Sequence, residues 1–155
     1  MFALEPASGR ELWRFDPHVD TRVRYGEGFA AGGGAWWRDP AAPTCATRIF
    51  LNTNDRRLAA LDAATGKACA GFGRDEQVDT AADIQLDRPA SMQITSPPVV
   101  ARGVVMVGSA YADNQRVKEV FGAVRAFDAV TGAPRWRFDP LASANPWIVA
   151  GAANV

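Results

Sequence analysis

A carboxylate and an amide stand side by side at Asp113 and Asn114, and these are residue types that hard cations such as Ca²⁺ prefer as ligands. The same pair is common in ordinary turns, where Asp and Asn side chains bond to the nearby backbone. The two cysteines, Cys45 and Cys69, are 24 residues apart, and this spacing matches no common metal-binding pattern. The residue types alone therefore leave two interpretations of Asp113 open, a cation ligand and a turn residue.

The composition excludes two classes of partner. The chain of 155 residues is 48% hydrophobic and 22% charged, as expected of a folded domain with a core. Its 17 basic residues equal its 17 acidic residues, so the net charge provides no attraction to nucleic acid or to an anionic membrane. No apolar run approaches the ~18 residues that are needed to cross a bilayer.

Three segments of the chain repeat one another, at residues 2–9, 59–66 and 125–132. Each contains an alanine, a large apolar residue, an acid, two variable residues, a serine or threonine, and a glycine. Aromatic residues follow at fixed distances from each glycine, which is typical of solenoids, propellers and other arrays. They are Phe15, Phe72 and Phe138 after all three glycines and Trp13 and Trp136 after the first and third, with Ala70 at the second tryptophan position.

Each repeat has the chemistry of a β-hairpin. The acid can accept hydrogen bonds from the turn amides, and the glycine can adopt a positive φ that other residues avoid. The flanks alternate, so that Trp13 and Phe15 share one face of a strand. Further strand-like runs lie at 46–52 and at 99–108, the latter interrupted by an Arg102-Gly103 turn. Short strands and turns throughout, without a strong amphipathic helix, predict an all-β protein.

The spacing Ala-x-acid-x-x-x-Gly-x-x-x-Trp at 3–13 and 126–136 resembles the tryptophan-docking motif of quinoprotein dehydrogenase propellers, which depend on pyrroloquinoline quinone (PQQ). In that family the tryptophan packs between neighbouring blades, near the glycine. Two longer spans, 45–73 and 95–114, resemble the branch of membrane-bound glucose, polyol and quinate dehydrogenases. A β-sandwich with chance similarity is the alternative, and three matched units with one turn chemistry argue against it.

The resemblance implies a fold, an eight-bladed β-propeller in which each blade is a four-stranded antiparallel sheet. We expect residues 1–155 to form part of one such domain, with about two to three blades and repeat turns at 4–17, 61–73 and 127–140. Each blade of a propeller covers the apolar face of the next, so this arc needs the remaining blades to close the ring. Alone, it would leave large apolar faces bare.

The resemblance also implies a chemistry. Family members oxidise an alcohol, a polyol or a sugar, with hydride passing to PQQ, a divalent cation (Ca²⁺ or Mg²⁺) polarising its carbonyl, and a quinone as the electron acceptor. The matched positions place Thr95, Ser109 and Ala110 along the PQQ, and Asp113 and Asn114 at the cation. The family's catalytic aspartate and its quinone-contacting Lys or Arg have no counterpart in these residues, so we assign no catalytic residue.

One stretch departs from the family pattern. Where the family carries a Cys-Arg-Gly segment close to the quinone, residues 31–40 of this chain contain Gly32, Gly33 and Gly34. Glycine backbone can approach a planar ligand closely but supplies no guanidinium. The docking motifs would also suit a non-catalytic propeller scaffold or a degenerate remnant. The matches at Thr95 and Asp113 favour the dehydrogenase, because a scaffold needs neither residue.

The cysteines are expected to form a disulfide between Cys45 and Cys69. Similar family members carry cysteines at these positions, and counting back from a hairpin turn near 54–56 brings the two within reach across paired strands. A disulfide implies an oxidising compartment, and the resemblance implies the periplasm or a periplasm-facing membrane surface. Residues 1–13 contain no apolar signal-peptide core. The protein is therefore cytoplasmic or begins upstream, and the strand-like start favours the second.

Overall fold

Short strands make up the molecule. The computed structural model describes residues 1–30, 32–84, 86, 88–111, 122–139 and, by their backbone, 149–150. In these ranges the chain contains no α-helix, one 3₁₀ turn at Pro89–Ser91, and no helix long and apolar enough to cross a membrane. The strands are β1 (Phe2–Leu4), β2 (Glu11–Arg14), β3 (Gly34–Arg38), β4 (Thr47–Asn52), β5 (Arg57–Asp62), β6 (Gln77–Asp79), β7 (Met92–Gln93), β8 (Val99–Ala101), β9 (Val104–Val107), β10 (Ala110–Tyr111), β11 (Val124–Asp128), β12 (Pro134–Phe138) and β13 (Val149–Ala150).

The strands form antiparallel sheets in which most paired strands are neighbours in the chain; the exceptions are β9 with β11 and β7 with β10. The first larger sheet has the order β3-β4-β5-β6 and the second has the order β13-β12-β11-β9-β8. Two small sheets pair β1 with β2 and β7 with β10. This stepwise order is that of propeller blades, with β1-β2 as half of a preceding blade. The predicted all-β, partial-propeller fold is confirmed.

The three repeat turns share one geometry. Gly9, Gly66 and Gly132 have φ of 70°, 70° and 72°, and each donates its amide to the carbonyl of the acid four residues earlier. In the second and third turns, Oδ1 of Asp62 and of Asp128 accepts hydrogen bonds from backbone amides two and three residues further on, at 2.8–3.2 Å. These are the contacts that an acid and a glycine at this spacing predict.

The core lies between the two larger sheets. Phe50, Leu58 and Phe72 come from the first sheet and its loop, and Val105 and Phe127 come from the second. All five are at most 4% exposed, and the rings of Phe50 and Phe72 are 5.7 Å apart. Apolar faces of adjacent sheets thus bury each other, as neighbouring blades of a propeller do.

The half-blade β1-β2 docks on the first larger sheet through Trp13. Its ring is 9% exposed, and its Nε1 donates a hydrogen bond to the Ala63 carbonyl at 3.0 Å. A Cβ on Gly66 would lie 2.4 Å from that ring, so only glycine lets the tryptophan lie flat on the turn. The structure therefore joins these two blades through the motif that the sequence predicts.

The two larger sheets are joined differently, because Ala70 replaces the second tryptophan. A Cβ on Gly132 would meet the Gly73 nitrogen at 2.8 Å, and that nitrogen donates to the Thr131 carbonyl at 2.8 Å. The side chain of Arg48, 4% exposed, donates from Nη1 to the carbonyls of Ala129 and Val130 at 3.0 and 2.7 Å. The backbone contacts at Gly73 and the hydrogen bonds of the Arg48 guanidinium thus hold the second junction together, whereas Trp13 alone holds the first.

The apolar edge of the arc is exposed at β1 and β2. Phe2, Leu4 and Leu12 are 55%, 47% and 51% exposed. The tryptophan pair on β3 divides between two environments: Trp37 packs against Phe50 at 6.4 Å between ring centroids, whereas Trp36 is 65% exposed. Exposed apolar side chains on one edge are what an open arc of blades predicts.

Candidate cofactor site

The predicted cofactor residues lie in two segments that a short strand pair brings side by side. Ala110 of β10 pairs with Gln93 of β7, and Tyr111 pairs with Met92, in antiparallel register. Thr95 follows the end of β7 by two residues, and Ser109 immediately precedes β10. Thr95, Ser109 and Ala110 are half-buried. The strand pair thus brings these segments to one region of the molecule, although 14 residues separate Thr95 from Ser109 in the chain.

The glycine-rich stretch lies against the same segment. A Cβ on Gly32 would lie 2.5 Å from the Thr95 carbonyl oxygen and 2.4 Å from the backbone nitrogen of Pro97. A Cβ on Gly34 would lie 2.9 Å from the Phe50 carbonyl oxygen. Contacts this short exclude any side chain, so these glycines let backbone approach backbone. Where the family resemblance implies a Cys-Arg-Gly segment, the backbone at Gly32 packs directly on the backbone of residues 95–97.

Buried amide side chains hold these loops in place. Gln93 is 1% exposed, accepts from the Glu27 amide at 2.7 Å and donates to the Gly28 carbonyl at 2.9 Å. Asn54 donates to the same Gly28 carbonyl at 2.9 Å, and Asn52 donates to the Ser96 carbonyl at 2.8 Å. Sequence reasoning missed these residues. The signal that was available is a polar amide inside otherwise apolar runs, since a buried amide must find partners.

The two hydroxyls of the candidate site differ in their availability. Ser109 Oγ donates to the Ala123 carbonyl at 2.9 Å and accepts from the Ala123 amide at 3.0 Å. None of the described residues forms a hydrogen bond with the Thr95 hydroxyl, so none of them competes with a ligand for it. Ser109, in contrast, ties the start of β10 to the residue that precedes β11. The Asn52 Oδ1 atom is buried nearby without a partner in the described part of the chain.

The strand that carries Ala110 continues into Tyr111. Burial raises the pKa of the Tyr111 phenol, and the nearby Arg125 guanidinium partly opposes that shift. Arg125 is 6% exposed, and its Nε lies 3.3 Å from Asp83 Oδ1.

The predicted cation ligands, Asp113 and Asn114, lie outside the described residues, and their assignment stays a prediction. Within the described ranges, no group of three or more His, Cys, Asp or Glu side chains is close enough to hold a metal. The surroundings that are described, at Thr95 and Ala110, offer hydroxyl and backbone groups. Such groups can form hydrogen bonds with the oxygens of a flat ring.

Cys45 and Cys69 are joined by a disulfide, with their Cα atoms 5.9 Å apart. Counting back from the turn near 54–56 predicted that the cysteines meet across the two strands that flank this turn, and that part of the prediction was wrong. Cys45 precedes β4, and Cys69 lies beyond the Asp62 turn, where its amide donates to the Ala60 carbonyl at 2.8 Å. The bond therefore ties the segment between β3 and β4 to the segment between β5 and β6, rather than linking β4 to β5 across their hairpin.

Reduction of this disulfide is expected to lower the free energy of unfolding of the protein by about 3 kcal/mol, because the bond closes a loop of 24 residues in the unfolded chain. Urea titrations with and without dithiothreitol measure the difference. The double variant Cys45→Ser/Cys69→Ser is the control and should not respond to the reductant. Free thiols in protein purified under air, or an equal response of the double variant, would contradict the expectation.

Comparison with known proteins finds one family across nearly the whole chain. Residues 1–153 match the family described as "PQQ: Glucose/ethanol/alcohol dehydrogenase, beta-propeller domain". A solved structure of quinohemoprotein alcohol dehydrogenase from Comamonas testosteroni is 28% identical and superposes with a TM-score of 0.67, over 89% of this chain and 18% of that one.

Curated relatives agree with that match. Quinoprotein glucose dehydrogenase of Gluconobacter oxydans is 37% identical over 150 residues, which are 90% of this chain and 18% of that protein. The glycerol dehydrogenase large subunit of the same organism is 34% identical over 140 residues, which are 88% of this chain and 19% of that protein. The chain thus spans less than a fifth of the length of these relatives.

Proposed function

The chain belongs to the PQQ-type glucose, ethanol and alcohol dehydrogenase family with a β-propeller domain, and on that premise we propose that it is part of a dehydrogenase that oxidises an alcohol, polyol or sugar. The observation that supports this most is that the paired strands β7 and β10 bring the segments of Thr95 and Ala110 side by side, within a chain matched to the family over residues 1–153. Thr95, Ser109 and Ala110 are the positions that the family resemblance assigns to PQQ.

We propose that Thr95 and backbone groups near Ala110 bind PQQ, which supplies the electron-accepting carbonyl chemistry when bound. The Thr95 hydroxyl can donate one hydrogen bond to an oxygen of the ring system. The packed backbone of Gly32 and Thr95–Pro97 leaves no space for a side chain at Gly32 and fixes the position of the Thr95 segment. Ser109, whose hydroxyl already bonds Ala123, contributes by fixing the strand rather than by donating to the ligand.

A divalent cation is the second part of the proposal. Asp113 and Asn114 follow the last residue of β10 by two and three positions in the sequence, and the family resemblance assigns them to the cation. Carboxylate and amide oxygens suit Ca²⁺ or Mg²⁺. The catalytic base, the substrate pocket and the contact to a quinone acceptor belong to the remaining blades. We propose a periplasm-facing location, in keeping with the disulfide.

The test is a PQQ titration of the intact protein, followed by quenching of tryptophan fluorescence, with and without added Ca²⁺. Thr95→Val removes one donor at constant volume, so we expect about fivefold weaker PQQ binding with the calcium dependence retained. Asp113→Ala is expected to weaken binding in calcium by about tenfold or more and to leave little difference between the two conditions.

Two matched variants serve as controls. Thr21→Val and Asp20→Ala change the same residue types in an exposed loop and should bind PQQ as the parent protein does. Absence of PQQ binding by the parent protein would overturn the proposed function. An unchanged calcium titration of Asp113→Ala would remove Asp113 from the cation site, and unchanged affinity of Thr95→Val would remove Thr95 from the PQQ site.

A further inference from the structure

We infer that Asn52 is a positioning residue for the proposed PQQ site, because its side-chain amide holds the backbone segment that carries Thr95. The inference rests on the proposed function, in which the Thr95 hydroxyl donates a hydrogen bond to PQQ. Asn52 is 4% exposed and is the last residue of β4 in the first larger sheet. It acts through Ser96, the residue that follows Thr95.

The segment that contains Thr95 is not part of a sheet. Residues 94–98 lie between β7 and β8 and belong to neither strand. Two of them, Pro97 and Pro98, have no backbone amide with which to donate a hydrogen bond. The position of Thr95 therefore depends on contacts that other parts of the chain make with this segment.

Strand β4 provides one of these contacts. Side chains two residues apart on a strand point to the same face, so Asn52 points to the same side of the sheet as Phe50. Phe50 is fully buried in the core between the two larger sheets. Further along that face, Asn52 Nδ2 donates a hydrogen bond to the Ser96 carbonyl at 2.8 Å. One bond thus joins a strand of the first sheet to the segment that leads into the second.

Two other contacts confine the segment without replacing that bond. Before Thr95, the side chain of Gln93 is 1% exposed and bonded to the backbone of residues 27 and 28. Beside Thr95, the backbone at Gly32 is so close that a Cβ there would lie 2.5 Å from the Thr95 carbonyl oxygen. The Gly32 contact blocks movement in one direction only. Loss of the Asn52 bond is therefore expected to let the segment move in the other direction.

The second half of the Asn52 amide argues against a role in stability alone. Its Oδ1 is buried and has no hydrogen-bond partner among the described residues. An unpaired buried acceptor lowers stability, and a leucine of similar shape would avoid that cost. Ser96 is exposed, so water can bond its carbonyl once the amide is removed. The amide therefore contributes mainly the position of Ser96 and, through it, the position of Thr95.

The experiment is a PQQ titration of the intact protein in calcium, with Asn52→Leu alone and combined with Thr95→Val. Asn52→Leu should bind PQQ about fivefold more weakly, as for the loss of one hydrogen bond. The double variant should bind PQQ no more weakly than Thr95→Val does, because Asn52 acts only through the Thr95 hydroxyl. A general loss of stability would instead lower the PQQ affinity equally in both backgrounds.

Asn54→Leu is the matched control. Asn54 is 6% exposed and donates to the Gly28 carbonyl at 2.9 Å, and that carbonyl keeps a second donor in Gln93. This variant should retain the PQQ affinity of the parent protein. Asn52→Ala removes the same donor as Asn52→Leu without adding methyl groups, so it tests the inference if Asn52→Leu does not fold.

Hydrogen exchange provides a readout that needs no PQQ. The amides of residues 94–96 should exchange about fivefold faster in Asn52→Leu than in the parent, and at the parental rate in Asn54→Leu. Unchanged exchange, unchanged PQQ affinity of the folded Asn52 variants, or losses of affinity that add in the double variant would overturn the inference and leave the proposed function standing. If the parent binds no PQQ, the proposed function fails and the inferred role of Asn52 fails with it.

Discussion

Gly66→Ala is expected to lower the free energy of unfolding by about 3 kcal/mol. Part of this is the positive φ of 70° at Gly66, which costs an alanine about 1 kcal/mol. The larger part comes from the added Cβ, which would lie 2.4 Å from the Trp13 ring. That ring cannot move away freely, because its Nε1 is bonded to the Ala63 carbonyl at 3.0 Å.

Gly9→Ala separates the two contributions. Gly9 occupies the same position of the first repeat turn with the same φ of 70°, but nothing lies within 4 Å of its added Cβ. Gly9→Ala should therefore lower the free energy of unfolding by about 1 kcal/mol, which is the cost of the positive φ alone. Urea titrations of both variants of the intact protein measure the difference. Equal losses would show that Trp13 does not press on Gly66. In the Trp13→Ala background, the cost of Gly66→Ala should fall to that of Gly9→Ala.

Much of the fold was predictable because its information is local. The acid, the glycine and the tryptophan of one repeat lie within 11 residues, as in 126–136, and both strand pairing and turn geometry follow from that spacing. Ala3 pairs with Trp13, and Ala126 pairs with Trp136, in the same register. The junction between the larger sheets was not predictable. Ala70 shows only that a tryptophan is missing, and nothing near it identifies Arg48 as the replacement.

The candidate site, too, could be predicted from the sequence only in part. Thr95 and Ser109 were assigned from matched spans, and the pairing of β7 with β10 brings the segments that contain them side by side. Ser109 was expected to lie along the quinone, and that assignment stays a prediction; in the structure its hydroxyl bonds Ala123. The contacts of Gln93 and Arg125 span 65 and 42 residues, and no sequence pattern indicates such pairs. Buried polar networks depend on the assembled sheets, which is why they are visible only in three dimensions.

The second large effect is expected at Arg48, the replacement for the missing tryptophan. Arg48→Met removes donors from three carbonyls, those of Cys45, Ala129 and Val130, which lie at 3.1, 3.0 and 2.7 Å. Each lost bond costs about 1 kcal/mol. Burial lowers the pKa of Arg48, so the guanidinium also bears a desolvation cost that methionine avoids. The net loss in the free energy of unfolding is therefore expected to be about 2 kcal/mol.

Arg135→Met is the matched control, because it removes an arginine that is 57% exposed and bonded to Asp128 at the surface of the same sheet. Its effect should stay below about 0.5 kcal/mol. If urea titration shows that Arg48→Met lowers the free energy of unfolding by no more than this, Gly73 alone holds the junction. The Arg48 guanidinium is itself oriented by the Cys45 carbonyl, beside the disulfide. Reduction of the disulfide should therefore lower the free energy of unfolding of Arg48→Met by less than that of the parent protein, because the disulfide stabilises the protein partly by fixing the position of Arg48.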